Sequence, residues 1–337
     1  MHTAMTRRFG CDHPIALAGM GFVGMKPQLA RAVSNAGGIG AIGVGPMRDD
    51  ELRGVIADLR ATTSGLFNLN FLSVFDNDSK IRLCADLRVP IVSFHWGHPS
   101  AEHLKLLRDA GCSVWEQVGS VEAGKRAAGD GVEVVIAQGS ESGGHNYGVA
   151  PTMVLTPMMV DTLPDTLVLA AGGIIDGRGL AAALILGAAG VWIGTRFVAS
   201  LEAHTHPEHH RRILAAGEGD TVLSSIFAPE MPSFNPMRVL RNRVVDAYTH
   251  RLADIPADRR NLEVIGHTPI NGQDVTMRKF HGTPPTPETT GDFEEMPWLA
   301  GEGAARITTI EPAADIVARL MREATEALAN PLSVRSL

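Results

Sequence analysis

The sequence predicts an α/β fold, a (β/α)8 barrel, on three observations. Eight short apolar runs alternate with segments of helical periodicity between Pro14 and Gly194. The runs are apolar on both faces, as strands are when a parallel sheet is covered by helices. Glycine is abundant (36) and aromatic content is 5%, which suits repeated tight strand–helix packing better than a sandwich. The 337 residues are ample for a large core with one insertion.

The first strand is Pro14–Ala18, ending in Gly19-Met20-Gly21. A helix is predicted from Pro27, a good first-turn residue, through Leu29, Ala30, Val33 and Ala36 to a stop at Gly37-Gly38. Ile39–Gly43 is the second strand, and Leu52, Val55, Ile56 and Leu59 keep helical spacing after it. Leu66–Phe71 is the third, followed by a helix over Ile81–Leu87. Pro90–Gly97 is the fourth, with a helix over Glu102–Ala110. Cys112–Glu116 is the fifth, after which Ser120 caps a helix reaching Ala128. Val132–Ala137 is the sixth and leads into a glycine-rich loop, 138–148; the next helix is predicted over Val154–Thr162. Thr166–Ala171 is the seventh, and Asp176 caps the helix that stops at Gly187. Gly190–Gly194 is the eighth.

The competing architecture is an open doubly wound sheet, for which Gly19-Met20-Gly21-Phe22-Val23-Gly24 has the right glycine spacing. Pro27 delays the helix and no acidic residue ends the second strand, so the barrel is preferred. From Ala203 to Gly303 the period is lost and prolines cluster. This segment is expected to be a small, partly helical insertion or lid after strand 8. The amphipathic run from Pro312 through Leu328 is expected to return to the barrel wall. The expected division is therefore a barrel of 1–202 plus 304–337 and an insertion of 203–303.

A net charge of −7 without a basic block argues against nucleic acid as a partner. Cys11, Cys84 and Cys112 are odd in number and widely spaced, so a reducing compartment without disulfides is expected. Neither a signal peptide nor a membrane-length apolar window is seen, and the reading is of a soluble, cytoplasmic protein. His204, His206, His209 and His210 lack the spacing and companions of a metal site and are read as a solvated, proline-interrupted segment.

In a (β/α)8 barrel, ligands sit at the C-terminal strand ends. Those ends carry Ala18-Gly19-Met20, Asn70, His95, Gln117, Gln138 with the loop holding Gly144 and His145, Gly172-Gly173, and Gly194-Thr195. Two glycine-bearing turns on adjacent strands favour a phosphate site over a pair of tight turns. The uncharged amides Asn70, Gln117 and Gln138 suit the edge of a heterocycle, and together they point to a mononucleotide cofactor. Lysine is absent between Lys125 and Lys279, which lowers a Schiff-base aldolase reading. His145 is the side chain suited to proton transfer, while His95 faces either the pocket or a structural partner. Glu141 is read as ordering its own loop, and Cys112 as a small core residue.

The stretches Ala18-Gly19-Met20, Ala32–Gly38, Gln138–His145, Ala170–Ile174 with Asp176-Gly177-Arg178, and Gly194-Thr195-Arg196-Phe197 resemble the nitronate monooxygenase family, formerly 2-nitropropane dioxygenases. Pro236, Arg238, Arg241-Asn242 and Leu299–Gly303 resemble its later segments. The resemblance implies an FMN-dependent TIM barrel. It implies that Gly172, Gly173, Gly194 and Thr195 hold the FMN phosphate, that Ala18, Gly19, Met20, Asn70, Gln117 and Gly144 lie along the flavin, and that His145 is the catalytic base. Ser142 stands where many relatives have Ala, and Gln117 where some have a flavin-contacting Lys. The expected reaction is oxidation of alkyl nitronates or nitroalkanes by dioxygen to a carbonyl compound and nitrite. The same motifs resemble FMN-dependent enoyl-acyl-carrier and quinone reductases driven by NAD(P)H, which is the alternative. The expected partners are the small-molecule substrate and dioxygen; whether the chain is a homo-oligomer is left open.

Overall fold

A capping box starts the chain: Thr3 and Thr6 exchange side-chain and backbone hydrogen bonds and open α1 (Ala4–Phe9). In the computed structural model, which describes residues 1–330, α1 seals the N-terminal end of a barrel. Met5 is fully buried there, and Phe9 packs edge-on against Trp115. The expected barrel segment 304–337 extends past the described residues at 331–337.

The strands are β1 (Ile15–Leu17), β2 (Gly40–Gly43), β3 (Phe67–Leu72), β4 (Ile91–His95), β5 (Ser113–Val118) and β6 (Val134–Gln138). A two-residue strand outside the barrel, β7 (Gly144–His145), comes next, followed by β8 (Leu167–Ala171) and β9 (Gly190–Ile193). The eight barrel strands are all parallel, in the order β1-β9-β8-β6-β5-β4-β3-β2. The ring closes between β1 and β2: Ile39 N donates to Ile15 O at 2.9 Å and Leu17 N to Ile39 O at 2.8 Å. This is a TIM barrel, as expected from the eight apolar runs.

The helices between strands are α2 (Pro27–Asn35), α3 (Asp49–Thr62), α4 (Asp78–Asp86), α5 (Ala101–Asp109), α6 (Val121–Gly129), α7 (Thr152–Thr162) and α8 (Gly177–Ile185). Ser100, Ser120 and Asp176 each accept a backbone N–H at an N-terminus. The start of α7 falls two residues before the expected Val154, because its cap comes from outside. Pro151 has no side-chain acceptor to offer, and the Glu141 carboxylate accepts Thr152 N at 3.1 Å instead. Glu141 thus orders its own loop by tying it to this helix.

After β9 come α9 (Thr195–Val198), α10 (Pro207–Ala215), β10 (Thr221–Ser224), β11 (Met237–Leu240), α11 (Arg243–Tyr248), β12 (Val264–Ile270), β13 (Gln273–Arg278) and β14 (Thr290–Gly291). These build two three-stranded antiparallel sheets, β10-β11-β7 and β13-β12-β14. The chain then returns as α12 (Ala313–Ala329), whose apolar face packs on α8 and α2. Among the described residues no helix is long and apolar enough to cross a membrane.

The histidine-rich segment differs from the sequence reading. It is not solvated throughout: His209 on α10 is fully buried, bonded to Thr205 Oγ1 at 2.9 Å and to the Leu299 carbonyl at 3.2 Å. His206 packs against Phe293 and His210 reaches the Val198 carbonyl. Pro207 starts a helix here rather than interrupting one, and that helix turns His209 into the core.

Candidate active site

The C-terminal strand ends open into one cavity of about 660 Å³. Every site residue expected from the sequence lines it: Ala18, Gly19 and Met20 after β1, Asn70 on β3, Gln117 on β5, Gln138 on β6, Gly144 and His145 on β7, Gly172 and Gly173 after β8, and Gly194 and Thr195 after β9. His95 at the end of β4 lines it as well.

The 138–148 loop is held rigidly. Asn146 Nδ2 donates to the carbonyls of Gly139 (2.9 Å) and Ser142 (3.3 Å), and its Oδ1 accepts Gly148 N at 2.8 Å. Ser142 Oγ and Thr152 Oγ1 both donate to the Ala171 carbonyl, joining the loop to β8. Arg238 on β11 donates twice to the Ser140 carbonyl, at 2.9 and 3.2 Å.

His145 is fixed through its backbone. Its carbonyl accepts Gln138 Nε2 at 3.0 Å and His95 Nε2 at 3.2 Å. His95 thus fixes the backbone of His145; it is buried, and that burial pushes its pKa down to about 4. The His145 ring lies face-on against Phe234, centroids 3.5 Å apart, with Trp96 edge-on at 5.5 Å. Burial first, then the neighbouring His95, lower its pKa to about 3, partly offset by the Phe234 backbone. Its Nδ1 is buried without a hydrogen-bond partner, as is Gln138 Oε1.

Gly172 and Gly173 both have positive φ, +118° and +68°. A Cβ at Gly172 would lie 2.6 Å from both Ser142 Oγ and Thr152 Oγ1, so only glycine fits that turn. Across from it, Thr195 Oγ1 accepts Gly301 N at 3.0 Å, which leaves the hydroxyl proton to donate into the cavity.

Sequence reasoning missed the residues that the segment after β9 sends into the cavity: Met231, Phe234, the bidentate Arg259–Glu230 pair, and His281. Burial lowers His281 to about 4. These residues lie in a segment without periodicity, and no local pattern marks them. Trp96, just after β4, ties this segment to the barrel, since its Nε1 donates to the Ser233 carbonyl at 2.6 Å.

A TIM barrel whose strand ends carry a histidine and a two-glycine turn on one cavity defines the class. A family model described as nitronate monooxygenase matches residues 2–78 and 73–323. The chain belongs to the nitronate monooxygenase family, a family of oxidoreductases. It is 35% identical over 249 residues to the (3aS,4S,5R,7aS)-5-hydroxy-7a-methyl-1-oxo-octahydro-1H-indene-4-carboxyl-CoA dehydrogenase of Mycobacterium tuberculosis, covering 73% of this chain and 68% of that one. Its fold is similar to that of FabK from Thermotoga maritima (TM-score 0.79, 32% identity, 98% of each chain). It is equally similar to nitroalkane oxidase from Streptomyces ansochromogenes (TM-score 0.79, 26% identity, 98% of this chain and 100% of that one).

Proposed function

We propose that the protein binds FMN and oxidises alkyl nitronates with dioxygen, giving a carbonyl compound and nitrite. The observation that carries this reading is the placement of His145: a neutral imidazole with an unpaired buried Nδ1, on the same cavity as the Gly172-Gly173 turn. The residues present fit FMN. The Gly172-Gly173 turn, with both residues at positive φ, suits the close approach of a phosphate, and the orphaned Gln138 Oε1 suits a ring N–H. Ala18, Gly19 and Gly194 are small enough to let a flat ring approach. Bound FMN would supply the electron-transfer chemistry.

The protein's part is position and charge. Gln138 and His95 hold the His145 carbonyl, so the imidazole is presented by a fixed backbone. A ring with a pKa near 3 is a weak base, which favours a substrate that arrives already deprotonated. An anionic nitronate beside it raises the imidazole pKa and gains a charge-assisted hydrogen bond. Withdrawal of a proton from a neutral nitroalkane asks more of the same ring. The test is to supply ethyl nitronate and measure oxygen uptake and nitrite release; nitrite formation without added NAD(P)H supports the reading, and no nitrite sinks it.

A second reading is an NAD(P)H-driven FMN reductase acting on a thioester. The similarity to FabK and to a dehydrogenase whose substrate is a carboxyl-CoA supports it, as does a cavity with room for more than a small nitronate. Rapid consumption of NADH with an enoyl thioester, and none with nitronate, would favour it.

A further inference from the structure

We propose that Phe234 is the specificity-determining residue of this site: its ring occupies the place over the His145 imidazole that the apolar part of a substrate takes, and substrate reaches His145 by displacing it. The proposal rests on the reading of His145 as the group that meets substrate. Three observations carry it. The two rings are stacked, 26° from parallel, so one face of the imidazole is covered. Phe234 sits in a short 3-10 turn, Pro232–Phe234, and not in a sheet or long helix, so its ring moves without unfolding an element. That turn is tied to the barrel by the Trp96 Nε1–Ser233 O hydrogen bond, and the rings of Phe75 and Trp96 pack edge-on against Phe234, at 5.4 and 5.7 Å.

When the Phe234 ring leaves, Phe75 and Trp96 remain as the apolar wall. The vacated slot has about the volume of one ring, so it takes an apolar substituent of several methylenes, which in the wild-type protein must displace Phe234 to enter. The displaced ring also ceases to desolvate the imidazole. The titratable group facing His145 is His95, and the charged or titratable groups of the insertion on the same cavity are Glu230, Arg259 and His281. None of these four is itself substituted in the Phe234 variants.

The experiment compares holoenzyme with Phe234→Ala, Phe234→Leu and Trp96→Phe. Two quantities are read: kcat/KM for ethyl against hexyl nitronate, and the His145 imidazole titration by NMR, assigned from the signal lost in His145→Asn. The hexyl-to-ethyl ratio is expected to rise about tenfold in Phe234→Ala, through KM more than kcat, since several methylenes gain a slot. The titration is expected to move up by about one pH unit or more. Phe234→Leu, which keeps apolar volume but loses the flat face, and Trp96→Phe, which releases the turn, move both readouts the same way by less. Folded variants with an unchanged ratio and titration overturn the proposal. A changed ratio with an unchanged titration also overturns it, because Phe234 then acts at the entrance and not on His145. If no variant and no wild-type protein turns over nitronate, the proposed reaction fails, while the titration still decides where the ring sits.

Discussion

Met237 pairs opposite His145 in the antiparallel contact between β11 and β7, and Arg238 pairs opposite Gly144. The strand presenting the imidazole is therefore an edge strand of a sheet whose other two strands come from the segment after β9. Barrel and insertion share one hydrogen-bonded unit at the site. The backbone of His145 is thus paired with a strand from outside the barrel.

That coupling gives Arg238 a measurable role. Its guanidinium holds the Ser140 carbonyl and pairs with Glu302 at 3.1 Å. Arg238→Met keeps the apolar stem and removes these bonds, at a cost of about 1–3 kcal/mol. The expected outcome is a lower thermal midpoint and a several-fold fall in kcat. Flavin affinity should change much less, as read by fluorescence titration with FMN.

His145→Asn separates proton transfer from binding. General-base catalysis contributes about 10²–10⁴-fold. Turnover of neutral nitroethane is expected to fall by about 100-fold or more, and turnover of ethyl nitronate by about tenfold or less, with FMN retained. Equal losses on both substrates would contradict the base role.

Gly172→Ala tests the proposed phosphate-binding turn. The new methyl group would meet two hydroxyl oxygens at 2.6 Å in a backbone conformation with φ of +118°. Strain of this kind costs about 1 kcal/mol or more, and relief requires the turn to open. FMN is expected to bind at least about tenfold more weakly, as measured by equilibrium dialysis. The far-ultraviolet circular dichroism should remain that of a folded barrel.

Four histidines with lowered pKa make the protein sensitive to mild acid. His145 and His209 are lowered to about 3, and His95 and His281 to about 4, burial being the first cause in each. Between pH 6.5 and these values the unfolded chain carries protons that the folded chain refuses. Stability is therefore full above about 6.5 and falls as the pH drops toward 3–4. For His209 alone the loss at pH 5 is about 2 kcal/mol. The thermal midpoint should fall steadily from pH 7 to pH 5, and His209→Gln should flatten that fall.

The barrel was legible because each of its strands is a local apolar run bounded by turns, and because Ser100, Ser120 and Asp176 cap helices with their own side chains. Where the cap is distant, as Glu141 is for α7, the boundary shifted by two residues. The strand ends named from the sequence converge on one cavity because barrel geometry places them there. The insertion was opaque for the opposite reason. Strands such as Gln273–Arg278 are largely exposed, so they carry no apolar run, and β11 finds its partner, β7, across the whole of the later barrel. His209 looked solvated because its buried partners, Thr205 and Leu299, lie outside any local pattern.

The measurement that bears most directly on the central claim is the visible spectrum of the purified protein under anaerobic conditions. Ethyl nitronate is added first, and NADH and NADPH to a second sample. The account predicts a yellow protein whose flavin absorbance bleaches with nitronate, is slow or unresponsive with pyridine nucleotide, and recovers on admitting oxygen. Rapid bleaching by NADH or NADPH with none by nitronate would contradict it, and a colourless protein that takes up no FMN would contradict the cofactor as well.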